Sequence, residues 1–116
     1  MLKISLDEAY VFDLLAINEV KMANSTGDKR QSLIKSYSKL ADEIQDQIGK
    51  ELFDEIIKSV QYLELKMANE KVFKLVDRAS EEELANITYQ ANHERYVKKT
   101  DLQSKFFNEN LTEVKV

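Results

Sequence analysis

Residues 33–48 read LIKSYSKLADEIQDQI, and the spacing of their apolar side chains decides the fold class. Leu33, Tyr37, Leu40, Ile44 and Ile48 recur at alternating four- and three-residue steps, with Ile34 and Ala41 widening the stripe. That period gathers them on one face of an α-helix, whereas a half-buried strand would alternate at every second residue. Asp28 stands ahead of the stripe as a helix cap. Gly49 follows it as a stop, because glycine enters left-handed backbone without the clash a Cβ would cause. The same spacing continues through Phe53, Ile56, Val60, Leu63 and Met67, which predicts a third helix beginning near Lys50.

Working outward, Ser5 followed by Glu8 forms a capping box for a first helix, which Asn24-Ser25-Thr26-Gly27 closes. Around Asn69 the apolar register slips to Leu65, Ala68, Val72, Leu75 and Ala79. Either the helix bends there or its halves face different neighbours. Ser80 with Glu83 makes a second capping box, opening a fourth helix. Thr100 with Gln103 offers a further box that would end it near Lys99. Against that, Asn92, Arg95, Lys99, Gln103 and Phe106 share one face of an unbroken helix, which favours continuation.

Two glycines and no proline in 116 residues leave few tight turns. The expectation is an all-α antiparallel bundle of four or five helices, forming one domain over 1–110 with a frayed tail at 111–116. This length suits a single core that buries roughly two-thirds of the unfolded surface. A content of 43% hydrophobic and 33% charged residues is that of a globular chain rather than a disordered one.

The absence of cysteine excludes disulfides and thiolate metal sites, and the first residues lack a basic stretch leading into an apolar one. A cytoplasmic protein is expected. No stretch approaches the ~20 apolar residues of a membrane span. The net charge of -4 and pI near 5.1 repel phosphate backbones, so nucleic acid starts at a disadvantage.

Glu19-Val20-Lys21-Met22-Ala23-Asn24 and Glu64-Leu65-Lys66-Met67-Ala68-Asn69 differ at a single position. The likeness vanishes downstream, where Leu33 and Ile34 fall opposite Arg78 and Ala79. The echo therefore reads as shared helix-ending chemistry and not as a duplicated hairpin.

Within the first helix, residues 9–17 read AYVFDLLAI, apolar except for Asp13. None of Ala9, Tyr10, Ala16 or Ile17, one turn away, can neutralise a carboxylate. Two readings stand. Asp13 lies at the solvent edge of the helix or at a wet interface rim, or it meets a cation from another helix, with Arg95 the first candidate and Lys99 the second. The first helix is apolar over most of its circumference, so it needs cover from a fifth element or from a second subunit. A homodimer is the expectation.

Arg95 and Lys99 share their face with Asn92, Tyr96, Gln103 and Phe106. A guanidinium, an amide and aromatics in one patch suit partner recognition, and they equally suit a polar seam inside the bundle. Chemistry is scarcer. Asp42, Glu43 and Asp46, with Glu51, Asp54 and Glu55 beyond Gly49, resemble the acidic helices that hold Mg²⁺ in all-α nucleotide pyrophosphohydrolases. However, the first cluster lies opposite the Leu40–Ile44 stripe, and the two flank one turn rather than facing across a long hairpin. A di-iron bundle would need two Glu-x-x-His motifs, and His93 is the only histidine. It suits a polar surface or network position.

Met22, Met67, Phe53, Phe73 and Phe106 fall at apolar helical positions and are read as core. Lys29, Arg30, Lys35 and Lys39 make the first half of the second helix basic, which offers phosphates a contact and otherwise reads as a solvated face. No cofactor is expected, and no motif assigns the chain to a family. The composite expectation is a non-catalytic, self-associating interaction module. A Mg²⁺-dependent hydrolase and a nucleic-acid accessory protein are the alternatives.

Overall fold

The computed structural model describes residues 6–76 and 81–107. Five helices and no strand occur among them: α1 (Glu8–Ala23), α2 (Gly27–Ile48), α3 (Lys50–Ile57), α4 (Val60–Val76) and α5 (Glu81–Phe107). The fold is an all-α helical bundle.

The Ser5 and Ser80 caps and the tail at 111–116 lie outside the described residues. Asp7 is the N-cap residue of α1, and its side chain makes no capping bond. At the other end of α1, the Asn24 amide donates to the Val20 carbonyl at 2.7 Å and the Ser25 hydroxyl to Lys21 at 2.7 Å. The Lys21 carbonyl also accepts the Asn24 backbone N–H at 3.2 Å, so the last turn is closed by side chain and backbone together. Thr26, not Asp28, is the N-cap residue of α2. Gly49 takes φ +90, donates to the Gln45 carbonyl at 2.8 Å and accepts from the Phe53 N–H at 3.1 Å, so one residue both ends α2 and starts α3.

The expected third helix is two helices. Lys58 and Ser59 interrupt it, and the Ser59 hydroxyl caps α4 by accepting the Tyr62 N–H at 3.1 Å while donating to Ile56 O at 2.5 Å. This break rephases the chain. Before it Phe53 and Ile56 are buried, and after it Tyr62, Leu65, Ala68 and Asn69 are, whereas Val60, Leu63 and Met67 face outward. The register slip therefore arises at Ser59, and α4 runs unbroken through Asn69. Two further readings change with it. Met67 and Phe73, expected in the core, are both exposed. Asn69 does not end a helix as Asn24 does, so the two similar hexapeptides sit in unlike settings. As the shared face suggested, α5 passes through Lys99 without a stop, and Thr100 bonds back to the Tyr96 carbonyl at 2.9 Å.

Core side chains from all five helices form one cluster, within which Phe12 lies 6.1 Å from Phe53 and 6.3 Å from Tyr62 between ring centroids. α1 is the central rod. It runs antiparallel to α2, as the Asn18–Leu33 and Val11–Ile48 neighbours show, and antiparallel to α4 through Tyr62–Glu19 and Asn69–Asp13. α4 and α5 are antiparallel through Glu64–Lys98 and Lys71–Glu94. α5 meets α1 in antiparallel order too, through Arg95–Asp13, Lys99–Tyr10 and Gln103–Ala9.

Candidate functional site

Asp13 is 3% exposed, on the inward face of α1. Two other helices supply its partners. Arg95 of α5 donates from Nη2 to Oδ2 at 2.8 Å, and Asn69 of α4 donates from Nδ2 to Oδ1 at 2.8 Å. Each carboxylate oxygen thus has a donor, as a buried charge requires. Of the two positions weighed for Asp13, the solvent edge is the one the structure does not adopt. Lys99 takes a different place, 5.7 Å from the centroid of the Tyr10 ring. Arg95 binds end-on, and its Nε is buried with no hydrogen-bond partner among the described residues.

One turn toward the start of α1, the fully buried Gln103 makes two bonds of opposite sense. Its Oε1 accepts the Ala9 N–H at 2.8 Å, and its Nε2 donates to the Glu8 carboxylate at 2.6 Å. Those partners fix the amide orientation, because an N–H needs the oxygen and a carboxylate needs the NH₂. The first turn of α1 is therefore capped by a side chain from α5. At the far end of α1, the Tyr62 hydroxyl donates to Glu19, with Lys66 Nζ 3.9 Å from the same carboxylate. Burial and the neighbouring Glu19 charge push the Tyr62 phenol well above its ordinary range.

Of the six residues read as one face, only Asn92 is exposed. Arg95, Tyr96 and Lys99 are half-buried, Gln103 is buried, and Phe106 packs against the core. Arg95 and Gln103 direct their hydrogen bonds into α1, and Lys99 lies over the Tyr10 ring of the same helix. Asn69, Glu8 and Glu19 complete the seam and were missed as members of it. Asn69 carried one usable signal, a polar side chain in the Leu65–Ala68–Val72 stripe.

α1 itself is covered by α2, α4 and α5, which leaves Leu14 as its exposed large apolar residue within the helix. The unpartnered apolar surface lies elsewhere. Val60, Leu63 and Met67 are 63%, 53% and 58% exposed at i, i+3 and i+7 of α4. Beyond Met67 the face continues into an open groove of about 480 Å³, lined among the described residues by Met67, Glu70, Lys71, Lys74 and Leu75. A cleft beside Arg95, of about 140 Å³, is below the ~300 Å³ at which small-molecule pockets begin.

Asp42, Glu43, Asp46, Glu51 and Glu55 are exposed and Asp54 is half-buried. Among the described residues no three His, Asp or Glu side chains converge as metal ligands. Lys29, Arg30, Lys35, Lys39 and His93 are exposed as well. No helix among the described residues is long and apolar enough to cross a membrane. Comparison of the chain with protein-family models, curated proteins and solved structures gives no match.

Proposed function

We propose that this chain is a non-catalytic helical interaction module of the cytoplasm that self-associates as a homodimer. One observation carries the reading: the contiguous apolar stripe of Val60, Leu63 and Met67 on the outer face of α4. Solvent-facing apolar side chains in sequence-regular clusters mark association surfaces, whereas scattered ones do not. The absence of catalysis is supported by how the polar groups are used. Asp13 is held by Arg95 and Asn69, and Gln103 by Ala9 and Glu8, so these polar groups are spent on tying α4 and α5 to α1.

Light scattering over a range of concentrations tests the reading. A mass twice the 13.5 kDa of the chain is expected at high concentration. A mass of one chain throughout removes the homodimer. A second reading, contact with nucleic acid, is favoured by the four exposed cations of α2 and is checked by salt-dependent retention on heparin.

A further inference from the structure

We infer that two copies of this chain pair through α4, antiparallel, each seating its Val60–Leu63 ridge in the Met67–Leu75 groove of the other. The inference rests on the self-association proposed above and adds the surface and the register.

Shape is the first argument. One half of α4 projects Val60 and Leu63 into solvent, and the other half borders the groove. A two-fold axis near Met67 brings ridge to groove twice, as an isologous interface demands. In that register Val60 lies opposite Leu75 of the second copy, and the two Met67 side chains meet beside the axis.

Charge is the second argument, and it selects the same register. Glu64 on one flank of the stripe comes opposite Lys71 of the second copy, and Lys66 on the other flank comes opposite Glu70. The axis repeats both pairs, so four cross-copy attractions arise and no like charges are opposed. Within one copy these side chains already have partners. Lys66 lies 3.9 Å from Glu19, Glu64 meets Lys98 at 3.1 Å, Lys71 meets Glu94 at 3.6 Å, and Glu70 meets Lys74 at 2.7 Å. Pairs as exposed as the last two hold their geometry weakly, so they can share a second partner without losing much. α4 spans about 25 Å, long enough for an interface core, and the flanking charges suit its rim.

The full chain has no cysteine, so single-cysteine crosslinking reads the register without background. Met67→Cys should form a disulfide-linked dimer under mild oxidation, while Ser104→Cys on the outer face of α5 should not. Leu63→Glu, at a half-exposed site that tolerates a charge in the folded monomer, should weaken association at least tenfold. Glu64→Lys and Lys71→Glu should each weaken it several-fold, and the double variant should restore it. A role confined to one copy cannot give that rescue, because the new lysine would still face Lys98. A dimer by light scattering that neither crosslinks through Met67→Cys nor responds to Leu63→Glu overturns the register and leaves self-association standing. A mass of one copy at every concentration overturns both.

Discussion

Asp13 and Arg95 form one ion pair but do not carry equal risk when a partner is removed. Asp13 is nearly inaccessible, whereas the Arg95 side chain keeps 23% of its surface in solvent. Truncating Arg95 strands a buried carboxylate, which costs about 3–5 kcal/mol. Arg95→Met should approach that range in chemical denaturation, Asp13→Asn should lose less, and Asp13→Leu combined with Arg95→Met should recover most of the loss. Additive losses in the double variant would show that the pair is not coupled. At Gln103, substitution by Glu keeps the shape but replaces a donor with a second carboxylate beside Glu8. A loss of about 1–3 kcal/mol is expected in urea unfolding. Tyr62 gives a pH-dependent prediction. Its folded pKa is raised above the ordinary 10.0, so the folded state holds its proton more tightly than the unfolded state. The associated stability is complete below pH 10 and falls as pH rises beyond it. Denaturation midpoints of the wild type should drop above pH 10, and those of Tyr62→Phe should drop less.

At the scale of elements, Ser59 does what glycine and proline do elsewhere. It ends one helix and begins another without either residue. Ser59→Ala removes the hydroxyl that accepts the Tyr62 N–H and should cost about 1 kcal/mol, measurable by urea unfolding. α2 was legible because a single buried face repeats at helical period for sixteen residues and then meets a glycine. The α3–α4 break was not, because Ile56, Val60 and Leu63 keep apolar spacing straight across it. Two periodic faces happened to join in phase while the backbone between them turned. The pairing of Asp13 was half legible. A carboxylate with no intrahelical partner pointed to a cation elsewhere, and Arg95 was the nearest candidate on chemical grounds. Its second donor, Asn69, depended on the rephasing at Ser59 and so could not be placed from spacing alone. Gln103 was seen as a polar member of a face. Its role as a cap for α1 depends on tertiary proximity.

Across the whole molecule, α1 is covered by three helices, since α2, α4 and α5 all pack on it. Its amides should exchange with solvent only through global unfolding, whereas those in the first turns of α2, whose side chains are exposed, should exchange through local opening. Hydrogen exchange across a denaturant series checks this, and early exchange of Phe12 or Leu15 would contradict it. Central placement explains how a helix apolar over most of its circumference is covered within one chain, and it shifts the argument for a dimer onto α4. The trans cap at Gln103 has a consequence for synthesis. While the polypeptide is still emerging from the ribosome, α1 lacks both the amide that caps its first turn and the guanidinium that neutralises its acid. Each is encoded more than eighty residues downstream, so α1 completes its native contacts only after translation has passed α5, not piece by piece.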